Sequence, residues 1–155
     1  MRFAGPILSI IFFSAAMLPA VEPPDSSGAD FLGDVIIRPV SKISPAANSL
    51  ELHIGLPKGY KFVEEAPFIF EVSTDDSSAV MIDSSSTRTP ASLVEFPLKV
   101  ISGKATLQID MNLFYCSSGK NAVCFPKLVR LVLPVEIVKN GAPKLIAKYT
   151  VDPGL

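Results

Sequence analysis

Histidine and cysteine are scarce in this 155-residue sequence, and their scarcity excludes several classes of site. His53 is the only histidine, so a zinc site with three histidine ligands is impossible. A site with two cysteines and one histidine would require His53 to meet both Cys116 and Cys124, and nothing near them in the sequence supports that. The sequence also has no G-x-S-x-G, P-loop or H-E-x-x-H motif. We therefore expect neither a metal nor a cofactor.

Neither positive nor negative charge is in large excess. The 14 basic and 15 acidic residues give a formal net charge of −1, and no basic patch stands out along the chain. Nucleic acid, which requires a cluster of positive charge, is therefore not an expected partner.

The one strongly apolar stretch lies at the N-terminus. Arg2 precedes the apolar residues 7–13, and Leu-Pro-Ala ends at Ala20, which is the pattern of a secretory signal peptide over residues 1–20. An uncleaved anchor is the alternative, although the stretch is short for a membrane span and is flanked by prolines. No cysteine follows the stretch that could carry a lipid. Export to the periplasm or the medium, without membrane insertion of the mature domain, would let the two cysteines pair.

The mature chain is organised as a lead-in and one domain. Residues 21–34 are rich in Pro, Ser, Gly and Asp and predict a flexible lead-in to a domain over residues 35–155. No segment of this domain shows a sustained helical period. Short strand-like runs separated by turn residues predict an all-β, immunoglobulin-like antiparallel β-sandwich with a C-terminal cysteine-bearing β-hairpin. The predicted strands are 35–40, 49–56, 68–74, 79–82, 92–101, 105–116, 123–138 and 144–151. Asn140-Gly141 is a hairpin signal between the last two.

The side chain of His53 is predicted to face solvent. It alternates with Leu52 and Ile54, which share the apolar face of their strand. A hydrolase that uses His53 with a serine is the weakest function hypothesis, and a surface residue is the simpler interpretation.

The two cysteines lie at the end of two alternating runs. Leu107, Ile109, Met111, Leu113 and Tyr115 form one face of the first run, and Val123, Phe125, Val129, Leu131, Leu133, Val135 and Ile137 form the apolar face of the second. Cys116 and Cys124 fall on the opposite, outward face of their runs. Antiparallel pairing across the turn between them would bring the sulfurs together.

Two interpretations of this pair stay open. As a staple, the bond closes a loop of about nine residues, for which chain entropy gives roughly 2.6 kcal/mol. As a redox centre, it needs an accessible sulfur and a docking surface, for which the outward apolar residues are candidates. Lys120 and Lys127 are nearby cations that would favour a thiolate. The candidate docking residues are Phe114, Phe125, Pro126 and Leu128, with Val132 further along the same strand.

Two stretches of the chain resemble known families. Residues 54–60 (IGLPKGY), followed by Ala66-Pro67, are similar to part of the domain that follows NHL repeats in thioredoxin-like proteins. The segments LFYC, VCFP and LPV, over residues 113–135, resemble the end of that domain. They also resemble the N-terminal periplasmic domain of DsbD-type thiol:disulfide interchange proteins, in which a Y-x-x-C…C-[YF]-P hairpin ends an immunoglobulin-like sandwich. The resemblance covers residues 35–138, nearly the whole domain.

The DsbD resemblance implies a function for the cysteines. In that family the pair receives electrons through a thioredoxin-like domain and passes them to partners such as disulfide isomerases. Carried over, Cys116 and Cys124 would be the redox-active pair, with Cys124 the attacked sulfur. The chain would be a component of protein-disulfide reduction, a redox carrier whose electron donor is a separate protein. A non-catalytic immunoglobulin-like binding module with a stapling disulfide is the alternative.

This sequence departs from the DsbD pattern at several positions. Seven residues separate the cysteines, which is wider than the usual hairpin of the family. Val123 stands in place of an aromatic residue, and Lys127 in place of a second proline. Tyr60 and Phe62 are the candidates for the residues that cap the cysteines in the family.

Overall fold

The described part of the chain consists of β-strands joined by turns and short loops. The computed structural model describes residues 31–63, 68–83, 86–89 and 92–152. The strands are β1 (Asp34–Ile37), β2 (Ser41–Ile43), β3 (Ser49–Gly55), β4 (Tyr60–Phe62), β5 (Phe68–Thr74), β6 (Val80–Ile82), β7 (Ser86–Thr89), β8 (Leu93–Val100), β9 (Lys104–Ser117), β10 (Cys124–Ile137) and β11 (Leu145–Thr150). The all-β fold class is confirmed. Most predicted strands are present with ends shifted by one or two residues.

The strands form two sheets with a shared core. The first, here called the cysteine sheet, has the order β1-β10-β9-β5-β7, with β2 also beside β10 and β4 also beside β9. The second sheet has the order β11-β3-β8-β6. Buried side chains from both sheets belong to one hydrophobic cluster. This is the arrangement of a β-sandwich, in which each sheet buries one face against the other.

Alternation along the strands places the core. On β9 the predicted apolar face of Leu107, Ile109, Met111, Leu113 and Tyr115 is buried, together with Ala105 and Cys116, whereas the alternate residues Gln108, Asp110 and Asn112 are half-buried. Val129, Leu131, Leu133 and Val135 are the matching residues of β10. From the second sheet, Leu50, Leu52 and Ile54 of β3 join the same cluster. Full burial of one such aliphatic side chain contributes about 1.5–3 kcal/mol, so this alternation is the main source of stability.

Most strand pairs are antiparallel, as predicted for the sandwich, but three are parallel, which the sequence did not predict. β1 and β2 both run parallel to β10, and β11 runs parallel to β3. The predicted strand 35–40 is in fact interrupted, with β1 ending at Ile37 and β2 beginning at Ser41. Pro39 lies in this interruption and has no N–H to donate to a ladder. The two short strands β1 and β2 thus pair one after the other with the same strand, β10.

The predicted hairpin at Asn140-Gly141 is wrong. A turn does form, since the N–H of Gly141 donates to the carbonyl of Val138, but β11 then pairs with β3 in the second sheet rather than with β10. Gly141 lies directly against the backbone of Ile43, where a Cβ would collide. The glycine is therefore required for a close approach of two backbone segments.

Candidate functional site

A disulfide joins Cys116 of β9 to Cys124 of β10 at the end of the cysteine sheet. The two residues are directly opposite in the antiparallel register, with Cα atoms 3.9 Å apart. One step towards the turn, the N–H of Ser117 donates to the carbonyl of Val123 at 2.9 Å, and the Ser117 hydroxyl accepts from the N–H of Val123 at 2.9 Å. Because hydrogen-bonded and non-hydrogen-bonded pairs alternate, the cysteines occupy a non-hydrogen-bonded pair, where facing side chains are closest. The ladder itself therefore brings the sulfurs together.

Pro126 fits the same alternation. It faces Phe114 in the next non-hydrogen-bonded pair, where its missing N–H costs no bond to β9. A proline two residues after Cys124 is thus compatible with an unbroken β9–β10 ladder.

The two cysteines differ in accessibility. Cys124 is exposed, as predicted, but only 4% of Cys116 is exposed, so the prediction of two accessible cysteines is wrong for Cys116. Cys116 lies in an inner strand, with Cys124 on one side and Lys61 of β4 on the other. Cys124 begins β10, and β1 starts to pair with β10 only at Val129. Among the described residues, no strand flanks Cys124 on the side away from Cys116.

A ring cluster lies on the other face of the same hairpin. The ring centroids of Tyr60 and Tyr115 are 5.6 Å apart, those of Tyr115 and Phe125 are 5.6 Å apart, and those of Tyr60 and Phe125 are 6.3 Å apart. Register places Phe62 opposite Tyr115 and Lys61 opposite Cys116. Since neighbouring residues of a strand point to opposite faces, these aromatic side chains cannot cover the disulfide. The candidate cap of Tyr60 and Phe62 is therefore wrong.

The candidate docking residues divide between the two faces. Phe125, 37% exposed, belongs to the ring cluster. Phe114, Pro126 and Leu128 have the same parity as the cysteines and form what we call the docking strip. Phe114 is half-buried, Pro126 is exposed, and Leu128 is 41% exposed. The strip therefore offers apolar area on the disulfide's own face.

The docking strip continues into a depression that the sequence did not predict. Phe31, Ile69 and Leu128 are among the residues that line this space of about 300 Å³. The Phe31 ring lies 4.3 Å from the guanidinium carbon of Arg130, which makes a bidentate ion pair with Asp110 at 2.7 and 2.8 Å.

Residues 31–34 of the predicted lead-in are thus ordered against β10, with Asp34 starting β1. The remainder of the lead-in and the predicted signal peptide lie outside the described residues. No periodic pattern surrounds Phe31 in the sequence, so no sequence signal could have located it.

Lysines near the hairpin have two different environments. The Nζ atom of Lys127 is 2.7 Å from a carboxylate oxygen of Asp34, and its side chain is mostly buried on the core-side face. The hydrogen bond to Asp34 raises the pKa of Lys127 above its ordinary value. The interpretation of Lys127 as a cation beside the sulfurs is therefore wrong. Lys61, by contrast, is exposed and lies beside Cys116 in register.

His53 is not part of this site. It lies on β3 of the second sheet between the buried Leu52 and Ile54, so its side chain faces outward from the other side of the sandwich. Its Nε2 atom is 3.5 Å from a carboxylate oxygen of Glu51. Among the residues that the structure describes, no group of three or more His, Cys, Asp or Glu side chains could hold a metal.

The comparisons with known proteins add no assignment. No protein-family model matches the chain, and no curated protein matches it significantly. Over the described ranges, no helix has the length and apolar character that a membrane crossing requires. The geometry of the cysteine hairpin therefore carries the functional argument.

Proposed function

We propose that this chain is an exported thiol:disulfide interchange domain whose Cys116–Cys124 pair exchanges electrons with thioredoxin-like or disulfide-isomerase partners. The observation that carries the proposal is the asymmetry of the bond, in which Cys124 is exposed and Cys116 is covered. In such a bond, a partner can reach the sulfur of Cys124, whereas the sulfur of Cys116 is covered by the protein. This domain acts as a redox carrier and component of protein-disulfide reduction.

The direction of attack follows from the surroundings of each sulfur. A thiolate displaces sulfur from sulfur along the line of the bond, entering opposite the sulfur that leaves. Attack on Cys124 enters from the side away from Cys116, where no described strand lies. Attack on Cys116 would have to enter from the side of β4, where Lys61 is its neighbour in register. The partner's thiolate therefore attacks Cys124.

The exchange proceeds in two balanced steps. The partner's thiolate forms a mixed disulfide with Cys124, and the sulfur of Cys116 leaves as a thiolate. A second thiolate of the partner then attacks the partner's own sulfur and releases Cys124. The partner is oxidised to a disulfide, and this chain receives two electrons and is reduced to a dithiol. The docking strip supplies apolar contact beside Cys124 during the first step.

The burial of Cys116 favours a second candidate, a non-catalytic binding module in which the disulfide is a staple. Structural disulfides resist reduction, and a buried sulfur in a long ladder of strand pairs is consistent with such a bond. The two candidates differ in the reduction potential that they need.

The reduction potential decides between them. Equilibrating the protein in thiol buffers and separating oxidised from reduced forms gives the potential of the pair. We expect a value above about −300 mV, whereas a value below it would identify a structural bond. The Cys116→Ser variant, with Cys124 first converted to a mixed disulfide with an aromatic thiol, should also transfer Cys124 to the attacking cysteine of a thioredoxin-like protein that lacks its resolving cysteine, releasing the aromatic thiolate and leaving a stable mixed disulfide. The matched Cys124→Ser variant should accumulate none.

Export is tested separately. Expression of the full chain in a bacterium with a periplasm should release a product that begins at Val21, as measured by mass spectrometry of the intact protein. A product that retains residues 1–20 in the membrane fraction would support the uncleaved anchor instead.

A further inference from the structure

Three exposed lysines surround the disulfide end of the cysteine sheet. Lys61 lies beside Cys116 in register, and Lys120 lies in the turn that joins the two cysteines. Lys58 precedes Gly59, whose carbonyl accepts a 2.7 Å hydrogen bond from the N–H of Ser118 in that turn. Gly59 has a φ of 90°, which favours glycine, so the turn that presents Lys58 is locally specified. We call these three lysines the lysine rim.

The lysine rim has no carboxylate partner among the described residues. Residues 55–63 and 113–126 contain no Asp or Glu. Elsewhere in the described chain, Lys104, Lys127 and Lys144 pair with Glu136, Asp34 and Glu51, whereas Lys42, Lys99, Lys139 and Lys148 show no such ion pair but are not gathered at the disulfide. The nearest acidic residues along the chain from Lys61, Glu64 and Glu65, lie outside the described residues. Among the described residues, a chain of net charge −1 thus gathers three positive charges without a carboxylate partner near its exposed sulfur.

We propose that the lysine rim selects a partner whose attacking cysteine is flanked by acidic residues. This inference rests on the proposed function and names the chemistry of its partner. Fixed positive charge raises the local concentration of an anionic attacker and speeds its encounter with Cys124. Lys61 also stabilises the Cys116 thiolate that leaves, because a neighbouring cation favours the thiolate form. The electron balance is that of the two-step exchange above.

Three synthetic thiol peptides test this selection. They are acetylated, amidated Glu-Cys-Glu, Gln-Cys-Gln and Lys-Cys-Lys, whose rates of mixed-disulfide formation with the oxidised protein are measured under pseudo-first-order conditions. Each rate is divided by the thiolate concentration from the measured thiol pKa of the peptide, because flanking charges alter that fraction. At about 10 mM ionic strength we expect the Glu peptide to react roughly tenfold faster than the Lys peptide. At about 0.5 M salt the two rates should agree within about twofold.

Charge-reversal variants locate the effect. In Lys61→Glu/Lys120→Glu the preference for the Glu peptide should disappear or reverse. Lys42→Glu/Lys139→Glu is the matched control, because both lysines are exposed near the far end of β10. At about 3.3 Å per residue that end of β10 lies roughly 40 Å from Cys124, so this double reversal should leave the preference unchanged.

The outcomes separate this inference from the proposed function. Equal rates for the Glu and Lys peptides at low salt, or a preference that survives the double charge reversal, would overturn the selection and leave the redox assignment intact. A reduction potential in the structural range, together with resistance to all three peptides, would overturn both.

Discussion

The two ends of the β9–β10 ladder share the same alternation of inward and outward side chains. They differ in how much of β10 is exposed and in which strands lie beside the pair. At the core end, Leu107 of β9 and Leu131 of β10 are fully buried, and β10 is flanked on its other side by β1 and β2. At the cysteine end, β4 flanks β9, and Cys124 and Pro126 of β10 are exposed. What differs is the set of neighbouring strands, while the register of the ladder runs unchanged from one end to the other.

This difference separates stability from reactivity along one pair of strands. The core end excludes water and fixes the register, since a slip of one residue would turn every apolar side chain outward. The cysteine end inherits that register, which places its sulfurs, and there β10 exposes Cys124, Phe125 and Pro126. A reactive bond can then break and reform there while the core end stays folded.

The largest expected effect compares two leucines three residues apart on β10. Leu131 is 0% exposed at the core end, and Leu128 is 41% exposed on the docking strip. Leu131→Ala should lower the free energy of unfolding by about 2–5 kcal/mol, because it removes buried contacts and leaves a cavity. Leu128→Ala should lower it by about 1 kcal/mol or less. Urea unfolding of both variants in the oxidised form measures the difference, and similar losses would contradict the division of the ladder.

The next effect concerns the disulfide itself. Cys116→Ala/Cys124→Ala should lower the free energy of unfolding by roughly 2.6 kcal/mol, the chain-entropy value for a nine-residue loop. The variant should remain folded, because the core end supplies the rest of the stability. Amide hydrogen exchange should accelerate at residues 114–117 and at Cys124, Phe125 and Lys127, and remain slow near Leu107 and Leu131. Faster exchange at both ends would show that the bond holds the whole ladder.

The third effect compares the two sulfurs. In Cys116→Ser the remaining Cys124 should react with an aromatic disulfide reagent at least about tenfold faster than Cys116 does in Cys124→Ser. The physical reason is access, since Cys116 is enclosed between β10 and β4. Reaction rates measured across pH separate access from thiol pKa, and urea-unfolded samples provide the control in which the two rates converge. Equal rates in the folded proteins would remove the observation that carries the proposed function.

The alternation of apolar and polar residues was sufficient to predict the features that follow a period of two residues. The apolar faces of β9 and β10, and the outward side chain of His53, follow from a period of two residues. The opposition of Cys116 and Cys124 follows from the same period and a turn between them. Each of these features depends on one strand or on two strands adjacent in sequence.

The features that the sequence did not predict depend on strands that are distant in sequence. Cys116 is buried in a strand flanked by β4, whose three residues are too few to show a period. The parallel pairing of β11 with β3 cannot be inferred from Asn140-Gly141, which specifies a turn and not the next partner strand. Phe31 contacts Arg130 from within a stretch whose composition resembles a loop. The odd or even position of a residue along its strand determines the face of the sheet on which its side chain lies. Its accessibility depends in addition on which strand lies beside it.

The smallest expected effect concerns the ion pair at the junction of the two ends. Lys127 pairs with Asp34, the first residue of β1, and the hydrogen bond between them raises the pKa of Lys127 above 10.5. A raised pKa in the folded state means that the pair stabilises the fold below pH 10.5 and that this contribution is lost as pH rises through the raised value.

Asp34→Asn should therefore lower the free energy of unfolding by about 0.5–1 kcal/mol at neutral pH and by progressively less above pH 10.5. Urea midpoints measured from pH 7 upward test this, with Asp83→Asn as the control because Asp83 is exposed and distant from β1. A difference that stays constant through the alkaline range would show that Asp34 acts through β1 pairing rather than through the charge of Lys127. The stable core end would then include the start of β1 at Asp34 as well as the buried part of the β9–β10 ladder.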